Sequence, residues 1–170
     1  MPLYPRRSRR RCAFTVLLTA VALAAVPATA HAREGRMADA SPTVVGVSTL
    51  PDPVPAGSTT QLRVQIVNTG PDTTAEPFRI DVHLPDSSVF VPGNADSTTR
   101  LVFPPNCTAG ETAQDVACSF PAGLPSLDSA IVLLPVQVSE AAPPGVVLAG
   151  GRVTVDCAGP GYPFEIAVDC

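Results

Sequence analysis

The sequence predicts an all-β domain in which two sheets of short antiparallel strands pack face to face as a β-sandwich. Between residues 41 and 157, short apolar or alternating runs recur, separated by Pro, Gly, Asn, Asp and Ser. No stretch there keeps the 3.6-residue apolar period of a helix for three turns. The 170-residue chain also contains 20 Pro, which are poorly tolerated inside helices. These observations favour strands over helices along the whole domain.

An export signal is predicted before the first strand. Residues 1–12 are basic, residues 13–26 are largely apolar, and Ala30-His31-Ala32 forms an A-x-A cleavage site. This order is typical of a secretory signal peptide, which we expect to occupy residues 1–32 and to direct the chain out of the cell. The apolar run is shorter than the ~20 residues of a membrane span, although an anchored N-terminal helix is the alternative. Residues 33–40 are short and polar and are expected to form a flexible arm.

The strands are assigned in order from their alternation and from the turn residues that separate them. The clearest is 61–68, where Leu62, Val64 and Ile66 alternate with polar residues, so that one face is buried. Pro135 cannot donate a hydrogen bond, so its strand is expected to have a bulge or to lie at an edge. The predicted strands are 44–50, 61–68, 78–84, 88–91, 100–103, 115–120, 130–139 and 146–156, followed by a turn and a short strand at 164–168. About seven or eight strands in one domain fit an immunoglobulin-like sandwich over residues 41–157.

Four cysteines remain after the signal, namely Cys107, Cys118, Cys157 and Cys170. An even number in an exported chain implies disulfides, and four cysteines allow three pairings. We favour the two local pairs, Cys107–Cys118 and Cys157–Cys170, each closing a loop worth ~3 kcal/mol in the loop-entropy account. The second pair would fix residues 158–170 as a disulfide-pinned tail. Zinc is the competing interpretation, but the usual C-x₂₋₄-C spacing is absent.

The segment 51–57 (PDPVPAG), the alternating strand 61–67 and the turn 68–71 (NTGP) resemble the bacterial conserved-repeat domain of surface proteins, domain of unknown function eleven. Looser similarities are Leu84-Pro85, a Cys107…Cys118 hairpin and Leu124-Pro125. The resemblance covers about residues 41–157 and implies an immunoglobulin-like module of exported or surface-displayed proteins, with a stalk, spacer or adhesive role. It carries over no catalytic residue. The chain has one copy, no L-P-x-T-G sorting motif and no apolar C-terminal tail. We therefore expect it to be released or held noncovalently at the wall.

Two groups of polar residues are candidate functional sites. Arg79, Asp81 and His83 share one face of a predicted strand, with Ser87 and Ser88 just beyond, which suggests a Ser-His-Asp triad. A solvated polar face is the simpler interpretation, because no G-x-S-x-G turn is present. Asp residues near predicted loops could bind calcium, but no EF-hand-type loop occurs and turn formation explains them. They are Asp52, Asp72, Asp86, Asp96 and Asp115. We predict no metal, no cofactor and no enzyme activity.

The net charge of the chain after residue 32 limits the kinds of partner that it can bind. After residue 32 the chain carries six Arg, no Lys and all 15 carboxylates, a net charge of −9. This disfavours nucleic acid and anionic membrane surfaces, which attract basic proteins. We expect a secreted, noncatalytic structural or adhesive module with an unknown protein or cell-wall partner, and no membrane span after signal removal. The alternative is a secreted binding protein, either a small-ligand carrier or a protease inhibitor that uses the Cys107–Cys118 segment.

Overall fold

The computed structural model describes residues 39–91, 103–156 and 158–170. They all belong to Gly35–Cys170, one of two compact units into which the chain divides, the other being Met1–Glu34. The predicted signal peptide with its cleavage-site residues Ala30 and Ala32 lies outside the described residues, as do most of the predicted arm, nearly all of the predicted strand 100–103, and Cys157.

Nine strands and no helix are present in the described part of the chain. The prediction of an all-β chain is confirmed, with slightly more strands than expected. The strands are β1 (Pro42–Leu50), β2 (Thr59–Asn68), β3 (Phe78–His83), β4 (Ser88–Phe90), β5 (Cys107–Ala109), β6 (Asp115–Phe120), β7 (Ser129–Val138), β8 (Val147–Val155) and β9 (Ala158–Ala167).

The strands form two antiparallel sheets, and these make a β-sandwich. One sheet has four strands in the order β1-β2-β7-β4, and the other has five in the order β5-β6-β3-β8-β9. The alternating pattern of β2 places Leu62, Val64 and Ile66 on one face, and all three are fully buried. On the five-stranded sheet, Ile80 and Val82 of β3 are buried in the same apolar cluster. The alternating apolar side chains of the two sheets therefore pack together as one core.

Pro135 lies inside the four-stranded sheet, on a strand with neighbours on both sides. It is opposite Gln61 of β2, and its carbonyl oxygen accepts a hydrogen bond of 3.0 Å from the Val91 N–H, just after β4 ends. The N and O atoms of one strand residue point to the same side, so the missing N–H faces the end of β4 and leaves the β2 ladder intact. Pro135 therefore lies where the short strand β4 ends beside β7, and this agrees with the edge position expected for it.

Asn68 is fully buried at the end of β2, and its side chain links three loops. Its Oδ1 accepts hydrogen bonds from the Ser41 and Gly70 N–H groups, at 3.0 and 3.1 Å. Its Nδ2 donates to the carbonyl oxygens of Asp72 and Leu124, at 2.7 and 3.0 Å. The amide thus uses both its donors and its acceptor on backbone groups of three separate segments. Asn68 is the first residue of the 68–71 (NTGP) turn, so this turn begins with a side chain that holds the neighbouring loops together.

The prediction for the cysteines is half right. The Cys107–Cys118 disulfide is present and joins β5 to β6, where the two residues are directly opposite each other. Cys170, in contrast, is an exposed free thiol, so the predicted pair with Cys157 is wrong.

The physical reason lies in the length of the last strand. The 158–170 segment is a full strand of the five-stranded sheet, which runs from Ala158 opposite Val155 to Ala167 opposite Val147. Cys170 therefore lies just beyond the end of β9, near the point where Ala167 pairs with Val147. The Gly- and Pro-rich run 159–163, predicted as a turn, is accommodated within β9 as an irregular strand with register shifts.

Candidate functional site

The polar residues singled out on β3 lie on the outer face of the five-stranded sheet. Arg79 contacts Asp81 on the same strand, with Nη2 to Oδ1 at 2.6 Å and Nε to Oδ1 at 2.9 Å. His83 contacts Asp115 of β6, with Nδ1 to Oδ1 at 2.7 Å. The side chains of Arg79 and His83 are more than half exposed. Exposed pairs of this kind contribute little to stability, because water and salt screen them.

The hydrogen bonds of Asp115 lower the pKa of its carboxyl group. The hydroxyl of Thr112 donates to its Oδ2, and the His83 ring contacts its Oδ1. These hydrogen bonds, with Thr112 the larger contribution, hold the pKa of the Asp115 carboxyl below its ordinary value of 3.8.

The serines that follow β3 do not complete a catalytic triad. The Ser88 hydroxyl is buried and donates to the Pro85 carbonyl at 2.7 Å. Ser87 has a left-handed backbone conformation, with φ of 65°, in the turn before β4. His83 is oriented by Asp115, but no hydroxyl contacts its ring within the described residues. The arrangement is that of a solvated polar face.

The surface depressions of the described part are shallow and open to solvent. One of about 480 Å³ lies between the start of β1 and the β8–β9 hairpin, near Thr43, Val155 and Tyr162. Another of about 380 Å³ lies over the β3 polar residues. A third of about 730 Å³ lies beside β4 and is lined by Ser, Gln, Asp and Glu. A carrier needs a cavity that encloses its ligand, and these three hollows are open to solvent.

The outer face of the four-stranded sheet has a different character, and we call it the sheet face. The sequences of its strands β1, β2, β4 and β7 contain one charged residue, Arg63, and no carboxylate. Several large apolar side chains are exposed on it, with Leu50 at 55%, Ile131 at 48% and Leu133 at 40% of their free surface. In a chain with net charge −9 after residue 32, a carboxylate-free sheet is a local exception.

The strand register groups these side chains. Arg63 of β2 lies between Ser48 of β1 and Leu133 of β7, and the next row places Gln65 beside Ile131. Arg63 forms no ion pair with any described residue. The sheet face therefore presents apolar side chains around one cation. Clustered apolar exposure of this kind marks interaction surfaces more often than scattered exposed residues do.

Sequence reasoning alone missed this face. The absence of Asp and Glu from residues 42–50, 59–68 and 129–138 can be read from the sequence. Nothing local, however, indicates that β7 pairs with β2, more than sixty residues earlier in the chain. The nearest signal is the apolar run at 129–138. It fits a strand buried on both faces, but it fits equally well a strand whose outer face exposes apolar side chains.

No metal-binding group of three or more His, Cys, Asp or Glu side chains occurs among the described residues. Of the Asp residues considered for calcium, Asp72 accepts a hydrogen bond from the Asp39 N–H and Asp115 is bound by Thr112 and His83. Asp96 lies outside the described residues. In the described part, no helix has the length and apolarity to cross a bilayer.

Comparisons with known proteins give a weak structural likeness and no family. The sequence matches no protein-family model and no curated protein. The chain is similar to the sixth cohesin of scaffoldin B from Acetivibrio cellulolyticus, solved in complex with a mutant Cel5 dockerin. The identity is 14% over 77% of this chain and 98% of that chain, with a TM-score of 0.43. It is also similar to a chain of the CaDoc0917–CaCohA2 complex at pH 5.5, with 17% identity over 67% and 92% and a TM-score of 0.36.

Proposed function

We propose that the chain is an exported, noncatalytic module with a structural or adhesive role, which binds a protein or cell-wall partner through the sheet face. The observation that carries this proposal is the segregation of charge. The four-stranded sheet contains Arg63 as its only charged strand residue, and Leu50, Ile131 and Leu133 are exposed around it. The resemblance to the conserved-repeat domain of bacterial surface proteins supports the same role.

The energetics favour a partner at this face rather than elsewhere on the surface. Burying an exposed apolar side chain contributes about 25 cal/mol for each Å² removed from water. Desolvating a carboxylate opposes binding unless the partner supplies a cation. The sheet face offers exposed apolar side chains to bury and has no carboxylate to desolvate. The outer face of the five-stranded sheet, in contrast, carries Asp81, Asp115 and Glu165.

Retention of the purified mature chain on defined surfaces tests the proposal. Isolated bacterial cell-wall sacculi, collagen and fibronectin are the probes. We expect at least one of them to retain the wild type. We expect Leu133→Glu to reduce retention at least tenfold, because it replaces exposed apolar surface with a carboxylate beside Arg63, the one charged residue of the sheet face. Ser119→Glu, which lies opposite Arg79 on the outer face of the five-stranded sheet, is the matched control and should bind as the wild type does. No retention by any probe, or equal retention of Leu133→Glu, would contradict the proposal.

Protease inhibition is the second candidate, and one observation favours it. The loop between β5 and β6 is closed by the Cys107–Cys118 disulfide, and its residues Glu111 and Thr112 are exposed. Backbone hydrogen bonds between Leu84 and Gln114, and between Phe90 and Ala113, fix one side of this loop to the domain. A rigid exposed loop is what an inhibitor presents to its protease. Loss of subtilisin activity on mixing would support this candidate, and full activity at micromolar protein would exclude subtilisin-like proteases as targets.

A further inference from the structure

The hollow of about 380 Å³ on the outer face of the five-stranded sheet is lined by both His83 of β3 and Arg152 of β8. These two residues are directly opposite each other in the antiparallel ladder. Arg152 forms no ion pair and no side-chain hydrogen bond with any residue that the structure describes. Its guanidinium is therefore available to a ligand that enters the hollow.

The stem of the Arg152 side chain lies over Gly161 of β9. A Cβ added at Gly161 would lie 2.7 Å from Cγ and 3.0 Å from Cδ of Arg152, and 2.8 Å from Cγ2 of Thr154. The stem thus occupies the space that a side chain at position 161 would need. Packing of the stem restricts its rotamers, so less entropy is lost when the guanidinium binds a ligand. The Gly- and Pro-rich run 159–163 therefore supplies the seat for Arg152.

His83 is held from the β6 side by two hydrogen bonds in series. The Thr112 hydroxyl donates to Asp115 Oδ2, and Asp115 Oδ1 lies 2.7 Å from His83 Nδ1. These bonds lower the pKa of the Asp115 carboxyl, so it is ionised at neutral pH and accepts the proton carried by Nδ1. The ring is thereby oriented, and its Nε2 has no partner in the described part of the chain.

The charges around the hollow indicate the class of ligand. Besides Arg152, its lining includes the carboxylates of Asp81, Glu111 and Asp115. A suitable ligand brings one anionic group for the guanidinium and N–H donors for the acceptors around it. The C-terminus of a peptide has both, because its carboxylate matches the paired donors of an arginine and its backbone supplies N–H groups. Inorganic phosphate has no N–H and is repelled by the three carboxylates.

We propose that this hollow binds the C-terminal carboxylate of a peptide. The Arg152 guanidinium donates to the carboxylate oxygens, and His83 Nε2 accepts the N–H of the last peptide residue. Gly161 is a positioning residue, because it acts only through the Arg152 stem. The site lies on the sheet opposite the sheet face and uses none of its residues, so it stands or falls separately from the proposed function.

NMR titration of the mature chain with N-acetyl-dialanine tests the site. His83 is the one histidine after residue 32, so its ring resonances report on the hollow without overlap. We expect these resonances to shift in a saturable way at millimolar peptide. The amide of N-acetyl-dialanine, which has no carboxylate, should bind at least about tenfold more weakly, and so should inorganic phosphate. No shift of the His83 resonances with the peptide, or equal binding of the amide or of phosphate, would overturn the proposal.

A pair of charge variants tests the role of Arg152 in the same titration. Arg152→Gln should weaken the binding of N-acetyl-dialanine at least about tenfold, because it removes the charged donor. Glu165→Gln, at an exposed position of β9, should bind the peptide as the wild type does. Wild-type affinity in Arg152→Gln would overturn the proposal.

A pair of glycine variants tests the seat of the arginine. Gly161→Ala should weaken binding, because the added Cβ displaces the Arg152 stem. Gly159→Ala is the matched control, since both glycines have a positive φ, 77° and 70°, but a Cβ at Gly159 meets nothing within 4 Å. Thermal unfolding shows whether each variant is folded, and Arg152→Gln decides the proposal if Gly161→Ala is not. Equal binding by two folded glycine variants would exclude Gly161 as a positioning residue.

Discussion

At the residue scale, the most demanding position is Asn68. Its side chain is completely buried, and its partners are backbone groups of Ser41, Gly70, Asp72 and Leu124, which belong to three separate loops. Removing one partner from a buried hydrogen bond leaves the other group without water or protein to bond, and each such group costs about 1–3 kcal/mol.

Asn68→Ala is therefore expected to lower the free energy of unfolding by about 2–4 kcal/mol. Urea denaturation followed by circular dichroism measures the change. Asn106→Ala is the control, because the exposed Asn106 side chain donates one hydrogen bond, to the Ser119 carbonyl oxygen, and its loss should cost less than about 1 kcal/mol. Equal effects of the two substitutions would show that Asn68 does not organise these loops.

Asp115 gives a prediction about pH. Its folded pKa is lowered, first by the Thr112 hydroxyl and then by His83. A lowered folded pKa stabilises the protein above the unfolded pKa, and this contribution is lost as the pH falls through the folded pKa. Thr112→Val should raise the Asp115 pKa toward 3.8, as measured by NMR titration of the side-chain carboxyl carbon.

The same variant should be less stable than the wild type at neutral pH, with a difference that shrinks as the pH falls below 3.8. Thr108→Val on β5 is the control, since its hydroxyl contacts only the Ala117 carbonyl oxygen, at 3.5 Å. An unchanged Asp115 pKa in Thr112→Val would contradict the assigned cause.

At the element scale, the turn after β2 depends on a glycine for close packing. A Cβ added at Gly70 would lie 2.0 Å from the Asp39 carbonyl oxygen and 2.7 Å from the Ser41 N atom. These are backbone atoms, so the segment 39–41 would have to move. Gly46 of β1 has open space at the same position, with nothing within 4 Å.

Gly70→Ala should accordingly destabilise the domain by about 2–4 kcal/mol, whereas Gly46→Ala should change stability by less than about 0.5 kcal/mol. Thermal unfolding of both variants under one set of conditions provides the comparison. The prediction fails if Gly70→Ala unfolds at the wild-type temperature.

The disulfide strengthens another element, the β5–β6 hairpin. Cys107 and Cys118 are both buried and are separated by 11 positions in sequence. Closing a loop of this size is expected to stabilise the fold by about 3 kcal/mol, mainly by restricting the unfolded chain. The double variant Cys107→Ala, Cys118→Ala should lose about 2–5 kcal/mol in urea denaturation. A loss below about 1 kcal/mol would show that the hairpin is held by its strand pairing and packing instead.

The elements also show what sequence can and cannot predict. β2, β3 and β6 were placed within two residues of their observed bounds, because one face of each is buried and alternation follows directly. β9 was predicted too short, because Gly and Pro at 159–163 are typical of turns, and only the pairing with β8 holds them in a strand. Cys170 is a free thiol beyond the end of this longer strand, whereas the sequence alone predicts a local pair with Cys157.

At the scale of the whole molecule, charge is divided between the two sheets. The strands of the five-stranded sheet carry Asp81, Asp115 and Glu165, whereas those of the four-stranded sheet carry no carboxylate. The sequence predicts an acidic domain after residue 32, but the sheet to which each strand belongs follows from long-range pairing such as that of β2 with β7. The candidate surface therefore emerges only from the topology.

Hydroxyl-radical footprinting of the mature chain, free and bound to the sacculi, collagen or fibronectin that retains it, tests the central claim most directly. The account predicts that binding protects Leu50, Ile131 and Leu133 on the sheet face and leaves Tyr162, exposed on β9, as reactive as in the free chain. Protection of Tyr162 with no change at Leu50, Ile131 and Leu133 would contradict it, because the partner would then occupy the other sheet.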